Sequence, residues 1–352
     1  MNSNLAAKKP LFSTNETAVT MRISTTIGLF AVLFFYSFTV GRFPTSAHTV
    51  AEALCAKMTL PPHPGGTDLE TILFQIRLPR ILAASLVGAA LSVSGAAYQG
   101  MFRNPMVSPG ILGVSAGASF GAALGMLFSF STLMVQLCAF LSGMAAVGTA
   151  YAIGVLFARR GEPVLVMILG GIIIGTLFTA FVSIIKYVAD PYNTLPAITF
   201  WLMGSLASVN MSDLSIAGLP VILGLGLLFA LRWNLNVLSF GDEEARALGA
   251  RTNIMRFIII VCATLMTAAA VSISGIIGLV GLIVPHLARL LVGPDYTRLI
   301  PVSAVLGAVF MLAVDDLARV LFPVEVPLGV VTSIIGTPFF LYLLLNTRKG
   351  WV

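Results

Sequence analysis

The sequence has little charge, little cysteine and little histidine. Only 10% of its 352 residues are charged, and it holds three cysteines and three histidines against 33 glycines. Three widely separated cysteines cannot build a disulfide framework, so we expect no intrachain disulfide. The histidines have no metal-ligand spacing, so we expect no metal site and no resident cofactor.

The motifs of catalysis are also missing. A phosphate-binding loop needs Gly-Lys-Ser/Thr, and none of the lysines, at positions 8, 9, 57, 186 and 349, has that context. A nucleophile elbow and a His-Glu-x-x-His pair are absent as well. The sequence therefore predicts no catalytic residues, and ATP hydrolysis by a phosphate-binding loop is excluded for this chain.

Long apolar runs are abundant. The chain is 58% hydrophobic with a mean hydropathy of +0.99, more apolar sequence than a soluble core could bury. A membrane-spanning helix needs roughly 20 apolar residues. On that scale the runs predict about ten spans, at 24–42, 78–98, 109–129, 132–157, 164–188, 214–232, 255–274, 276–292, 301–322 and 327–346.

The runs are continuous rather than alternating, which favours helices over a membrane β-barrel. The expected fold is an all-α polytopic membrane protein. We expect one transmembrane domain over 24–346, with tails at 1–23 and 347–352. The 23 residues before the first run are long for a signal peptide, so we expect that span to be retained.

Basic residues predict the orientation. With the N-terminus inside, fourteen of the twenty lysines and arginines fall in internal segments, which places both termini in the cytoplasm and the chain in the cytoplasmic membrane. The net charge of +6 then reflects topology rather than nucleic-acid binding.

The third predicted span has a stripe of small residues. Gly113, Gly117, Gly121 and Gly125 are four apart and share one helix face. Small residues at this spacing allow close helix approach in a membrane, so we expect packing, with a substrate path as the alternative. A second group, Gly275, Gly278 and Gly281, is compatible with packing or with a broken helix.

Arginines concentrate at the predicted outer side. "QIRLPRILAA" holds Arg77 and Arg80 around Pro79, where we expect the helix to begin, and "DDLARV" holds Asp315 and Arg319 at i, i+4. Because basic residues are disfavoured outside, we expect these arginines to dock an acidic external partner, with interfacial anchoring as the alternative. Asp315 is expected to hold Arg319 in place.

Charge also concentrates in the largest internal loop, at about 240–252. "GDEEARALGA" predicts a helix of under two turns, with Asp242 as its N-cap, Glu243 and Glu244 in its first turn, and Gly249 after its end. So short a helix is marginal alone and must pack against something. Ala245, Ala247 and Leu248 offer an apolar contact beside Arg246, which is the composition of a docking element.

Six segments, in order, resemble the FecCD-type permease subunits of ABC importers for iron chelates and cobalamin. They are "RLPRILAASLVGAALSVSGAAYQG", "NPMVSPGILGVSAGASFGAALG", "ADPYNTLPAITFWLMGSL", "GDEEARALGA", "GIIGLVGLIVPHLARLLVGPD" and "PVEVPLGVVTSIIGTPFFLYLL". The resemblance implies a type II ABC importer permease architecture with ten spans. It also implies ATPase subunits inside, a periplasmic or lipid-anchored binding protein outside, and a second permease, which we expect to be an identical copy.

The resemblance further implies roles for individual residues. Arg77, Arg80 and Arg319 match positions that receive glutamates of the binding protein. The segment from Asp242 to Gly249, which includes Glu243, Glu244, Ala245, Arg246 and Leu248, matches the helix that couples to the ATPase. The family's inner gate corresponds to about 163–165, which is apolar here.

Alternatives stay open for the transported cargo and for the transport mechanism. An iron chelate, ferric siderophore or haem, is the expected cargo, and cobalamin or an oxyanion such as molybdate stays open within the same family. The competing class is an ion-coupled secondary transporter, which would use intramembrane ionisable residues as a relay. Its best candidates are Asp315 and Asp316, followed by Lys186 and Asp190.

Overall fold

The chain folds as a bundle of helices. The computed structural model describes residues 16–41, 43, 45–59, 68–157, 163–321 and 324–346. The helices, in chain order, are α1 (Glu16–Tyr36), α2 (Ala47–Thr59), α3 (Asp68–Glu70), α4 (Leu78–Met101), α5 (Val114–Leu127), α6 (Thr132–Leu156), α7 (Pro163–Val188), α8 (Thr194–Met203), α9 (Met211–Ala230), α10 (Arg232–Ser239), α11 (Asp242–Ala247), α12 (Thr252–Ser274), α13 (Val280–Val292), α14 (Tyr296–Val320) and α15 (Leu328–Asn346).

The expected all-α membrane fold is confirmed. Among the described residues, seven helices are long and apolar enough to cross a membrane. The remaining three predicted spans fall on shorter apolar helices, α5, α13 and α15, and a fourth described helix of this kind, α8, lies in a predicted connection. Helices suit this environment because their backbone hydrogen bonds are made within the segment.

The interior of the bundle is built around α4 and α12. Most of each of these helices is buried, whereas α1 and α7 leave most of their apolar surface exposed. The helix α4 contacts α14, α12 and α13, so it lies at the centre of the fold. Exposed apolar faces on the outer helices suit contact with lipid or with another membrane subunit.

Two predicted helix boundaries are wrong. The first helix begins at Glu16, inside the segment predicted as a tail, and ends at Tyr36 rather than near 42. The second span does not begin at Pro79, because α3, a π-helical turn at Thr71–Arg77 and α4 form one continuous helix. Pro79 lies where the π-type hydrogen bonds change to α-type bonds, so its missing N–H falls at a change of register. The predicted C-terminal tail lies outside the described residues.

Three described helices were not predicted as such. They are α2 in the first connection, α8 after the fifth span and α10 before the charged loop. Each lies in a connection between predicted spans and is too short to match the 20-residue window used for the sequence. These three helices could be located only from the folded structure.

The glycine-rich stretch after α12 is a break. Helix α12 ends at Ser274, α13 begins at Val280, and the residues between them are not helical. Gly275 and Leu279 both adopt positive φ, at 67° and 65°. Within the hydrocarbon region of a membrane, irregular backbone is tolerated only where protein or a cavity surrounds it.

Close helix contacts depend on glycine. A Cβ built on Gly121 would lie 2.1 Å from the carbonyl oxygen of Cys138, and one on Gly117 would lie 2.5 Å from that of Ser142, so α5 and α6 pack backbone to backbone. Gly125 lies against Val135, while Gly113 has φ of 87° at the start of α5 and faces α7.

Candidate docking, cavity and coupling sites

Arg80 lies between two carboxylates at the end of the bundle where α4 begins. Its Nε donates to the two Asp315 oxygens at 3.0 and 3.1 Å, and its NH1 group donates to both oxygens of Glu325 at 3.0 Å. Arg80 is 7% exposed and Asp315 is fully buried, whereas the side chain of Glu325 is 34% exposed. One contact of Arg80 is therefore interior and the other faces outward.

Arg319 shares Asp315 with Arg80. Its Nε lies 3.1 Å from Asp315 Oδ2, an ion-pair contact without hydrogen-bond geometry, and its NH2 group donates to Asp316. Its NH1 group donates to the carbonyl oxygens of Ser37 at 3.3 Å and Val40 at 3.0 Å. The expected contact of Asp315 with Arg319 is thus present, with a second arginine on the same carboxylate.

Arg77 binds the turn that follows α1. It donates to the carbonyl oxygens of Phe38 and Phe43, the latter at 2.6 Å, and to the Thr45 hydroxyl. Because Arg319 binds the same turn at Ser37 and Val40, two guanidinium groups fix the chain between α1 and α2.

We call this group the arginine cluster: Arg77, Arg80, Arg319, Asp315, Asp316 and Glu325. Three cations and three anions balance, which is the condition under which buried charge is tolerated. The structure brings together the three arginines that the sequence singled out. It also buries them to between 5% and 7% exposure, so their guanidinium groups already bind groups of this chain. Their docking role stays a prediction.

Glu325 was missed at the sequence level. It lies between Pro323 and Pro327 in the short connection before α15. The available signal for a functional residue was the presence of an acidic side chain in so short a connection of a chain with few charged residues. Its partner 245 residues earlier in the chain could not be inferred without the fold.

A cavity of about 530 Å³ opens beside Glu325. Three non-helical stretches meet around it, joined by bonds from Ser205 N–H to the Ser274 carbonyl at 2.8 Å and from Leu328 N–H to the Gly204 carbonyl at 2.8 Å. Its lining combines aromatic and polar side chains: Phe130, Phe200, Trp201, Thr132, Gln136, Ser205, Ser208, Ser272, Ser274 and Glu325.

Gln136, like Ser272 and Ser274, is a buried polar residue of this cavity. Its Nε2 donates to Asp213 Oδ1 at 2.9 Å, and Asp213 is fixed by the capping box that begins α9. Its Oε1 is buried and accepts no hydrogen bond. The cavity wall therefore contains an unused acceptor whose orientation is held by α9.

The charged internal loop forms α11 at the opposite end of α4. A Cβ on Gly241 would lie 3.2 Å from Arg103, which follows α4, so this end is about 35 Å from Arg80 by the rise of the helix. Ala245 is fully buried, whereas Glu243, Glu244, Arg246 and Ala247 are exposed.

The capping of α11 differs from the prediction at one end. The N-cap is Gly241, with φ of 121°, and Asp242 is the first helical residue, whose carboxylate pairs with Arg256 of α12. A carboxylate gains more free energy from binding a guanidinium than from capping a short exposed helix. Asp242 therefore pairs with Arg256, and Gly241 takes the cap position. Gly249 has φ of 81° just after the helix, as predicted.

Helix α11 is attached to its neighbours on two sides. Asp242 ties it to α12, and α10 precedes it directly. Asn236 of α10 donates to Asp295 at 2.6 Å and accepts from the Tyr296 N–H at 2.8 Å at the start of α14. A displacement of α11 would therefore be transmitted to two spanning helices.

Comparison with known proteins identifies the family. The model of the FecCD transport family matches residues 29–346. The molybdate import system permease protein MolB of Haemophilus influenzae is 40% identical over 312 residues, which are 88% of this chain and 91% of that protein. A probable iron chelatin transport system permease of Helicobacter pylori is 38% identical over 282 residues, 80% of this chain and 85% of that protein.

The fold agrees with a solved transporter. A structure in an inward-facing conformation, described as an ABC transporter of metal-chelate type, superposes with a TM-score of 0.82 at 37% identity. The match covers 93% of this chain and 99% of that one.

Proposed function

The chain belongs to the FecCD transport family and is an ABC importer permease, and we propose that it moves an iron chelate, a ferric siderophore or haem, into the cell. ATP hydrolysis takes place on separate ATPase subunits. The permease provides the conduit and transmits the motion, and it contributes no catalytic residue.

The observation that supports a bulky cargo is the cavity beside Glu325. Its volume of about 530 Å³ lies within the range of small-molecule sites, roughly 300–1,000 Å³. Aromatic rings of Phe200 and Trp201 suit an organic ligand shell, and hydroxyl groups of Ser205, Ser208 and Ser272 supply weak polar contacts. A conduit needs contacts of this weak kind because cargo must leave again.

Molybdate is the second candidate cargo. It is supported by the 40% identity with MolB over 88% of this chain. Against it, the charged residue in the described cavity lining is Glu325, which is paired with Arg80, so the lining offers no cation for an oxyanion. Cobalamin stays an alternative within the family.

Docking involves an exchange of carboxylates at Arg80. A glutamate of a periplasmic or lipid-anchored binding protein takes the place of Glu325, whose side chain is partly exposed, while Asp315 keeps its buried contact. Arg77 and Arg319 hold the neighbouring turn, which supports the same surface. Because Glu325 also lines the cavity, docking and cavity opening share one residue.

Coupling takes place at the other end. The exposed side of α11, including Glu243 and Glu244, docks on the ATPase together with Leu248, which follows the helix. The Asp242–Arg256 pair passes the displacement of α11 to α12. In the proposed orientation both termini are in the cytoplasm, and the helices from Glu16 to Asn346 belong to one transmembrane domain. A second permease, proposed as an identical copy, covers exposed apolar surface such as that of α7 and α15.

The test is ATPase activity of this chain reconstituted in lipid with the ATPase of its own system. Binding protein is added empty, then loaded in turn with ferric siderophore, haem, cobalamin or molybdate. Stimulation by a ferric chelate alone supports the proposal, and stimulation by molybdate alone selects the second candidate. If no loaded form stimulates and uptake follows an ion gradient without ATP, the proposed mechanism is wrong.

A further inference from the structure

A second cavity lies at the α11 end of the bundle, between α6, α7 and α12. Its volume is about 320 Å³. One part of its wall is polar, formed by Tyr151, Arg246, Asn253 and Arg256, and the rest is apolar. The cavity is separate from the one beside Glu325, which lies at the other end of the bundle.

Arg256 has unused donors in this wall. The residue is 9% exposed, its NH2 group pairs with Asp242, and its Nε is buried with no hydrogen-bond partner. A guanidinium has five N–H donors, so one carboxylate contact does not satisfy it. A buried guanidinium with open donors is costly unless an acceptor occupies the space beside it.

Arg246 supplies a second cation to the same wall. Its Nε lies 3.5 Å from the Thr252 hydroxyl, at the limit of a hydrogen bond, so most of its donor capacity is free for a ligand. Asp242 is the carboxylate paired with Arg256, and Glu243 and Glu244 lie on the exposed part of α11. Two guanidinium groups against one paired carboxylate leave the lining itself positive.

The first turn of α12 adds a third favourable element. Asn253 of that turn and Arg256 just after it line the cavity, and the N-cap residue Arg251 makes no side-chain cap bond. The Thr252 N–H donates to the Ala250 carbonyl and the Met255 N–H to the Arg251 carbonyl, both at 3.1 Å. This helix start therefore offers the N–H groups of Asn253 and Ile254 and the positive end of the helix dipole.

We propose that this cavity binds a phosphate group. Arginine forks match phosphate oxygens in geometry, and uncapped helix starts bind phosphate through their N–H groups. The apolar part of the lining is formed by Val155, Val164, Met167 and Ile260. It reaches the surface at Val155, which is 55% exposed, and suits the glycerol and acyl part of a phospholipid. A free phosphate ion offers the same chemistry without the apolar contact.

The experiment titrates the purified full-length chain in detergent with phosphatidylglycerol in one arm and inorganic phosphate in the other. Binding is measured by native mass spectrometry and calorimetry. Arg246→Gln should weaken binding about tenfold, since a hydrogen bond to a charged group is lost. Arg298→Gln is the matched control, because Arg298 lies in the first turn of α14 at the same end of the bundle, pairs with the exposed Glu16 and is outside the cavity lining.

A second variant tests the proposal with the opposite sign. Asp242→Asn removes the carboxylate that competes for Arg256, so it should strengthen binding several-fold. Binding of phosphatidylglycerol with this pattern identifies a lipid site, and binding of inorganic phosphate alone with the same pattern identifies a free-anion site. If neither probe binds, or if Arg246→Gln and Arg298→Gln behave alike, the proposal is wrong.

Discussion

Arg80 donates to both oxygens of Glu325 at 3.0 Å, across 245 residues of sequence. This bond joins the start of α4 to the connection before α15. It also occupies the guanidinium that we expect to receive a carboxylate of the binding protein. Docking is then a competition between two acids for one arginine.

The competition can be measured with Glu325→Gln. A partly exposed ion pair contributes about 0.2–1 kcal/mol, so its loss should raise affinity for the binding protein by about 1.4-fold to fivefold. The control is Glu52→Gln, which removes an exposed acid of α2 that pairs with His48 on its own helix. Weaker binding by Glu325→Gln would show that Glu325 supports the docking surface rather than competing for it.

Asp315→Asn should destabilise the protein. Asp315 is fully buried between Arg80 and Arg319, and breaking a buried pair costs about 3–5 kcal/mol because it leaves charge uncompensated. Thermal unfolding of the solubilised chain checks this, with Asp190→Asn, in an exposed turn, as the control. The folded fraction of Asp315→Asn should retain ATP-dependent uptake, whereas a proton or sodium relay through Asp315 would lose its dependence on the gradient.

Gly121→Ala should also destabilise the protein, in this case by steric overlap between α5 and α6. Its new methyl group would meet the α6 backbone at 2.1 Å, and overpacking of this kind costs typically 1–3 kcal/mol. Gly148→Ala makes the same change in α6 where no atom lies within 4 Å. Equal unfolding temperatures for the two variants would contradict backbone contact between α5 and α6.

Leu248→Ser should weaken association with the ATPase. Leu248 follows α11 and is 68% exposed, and an apolar anchor in an interface is worth about 1 kcal/mol or more, which is fivefold or more in affinity. Ile254→Ser, which removes an exposed apolar side chain from the first turn of α12, is the comparison. If both changes act equally, the contact is not specific to the α11 segment.

Asp295 predicts a pH dependence of stability. Burial raises the pKa of this carboxyl, but hydrogen bonds from Thr297 and Asn236 outweigh it and lower the pKa below its usual value. The carboxylate caps α14, so its contribution of about 1 kcal/mol is present above the ordinary pKa of about 3.9 and is lost as pH falls through the folded pKa. The difference in unfolding temperature between wild type and Asp295→Ala should therefore shrink in acid. Asp295→Asn, which keeps an acceptor that does not titrate, should retain most of the stability without this pH dependence.

Some features of the site could be predicted because they are local. Gly249 follows a short helix that its own neighbours encode, and it has the positive φ expected of it. The N-cap at Asp242 was predicted wrongly for the complementary reason. The partner of its carboxylate, Arg256, lies on another helix, and only the tertiary structure shows that the two side chains form an ion pair.

The arginine cluster, too, could be predicted from the sequence only in part. The sequence identified Arg77, Arg80 and Arg319 as unusual because basic residues are rare on the predicted outer side. Their burial and the identity of Glu325 as a partner depend on contacts between segments more than 200 residues apart. The π-helical turn before α4 had no sequence signal beyond Pro79 itself.

The sequence by itself determined the class of the protein, its all-helical membrane fold and the family, because hydrophobic run length and local motifs are properties of neighbouring residues. The tertiary structure decided where α12 breaks, which carboxylates bind the arginines, and that two cavities lie at opposite ends of the bundle. Cavities and buried ion pairs form between helices that are distant in the chain, and hydrophobic periodicity contains no information about which helices meet.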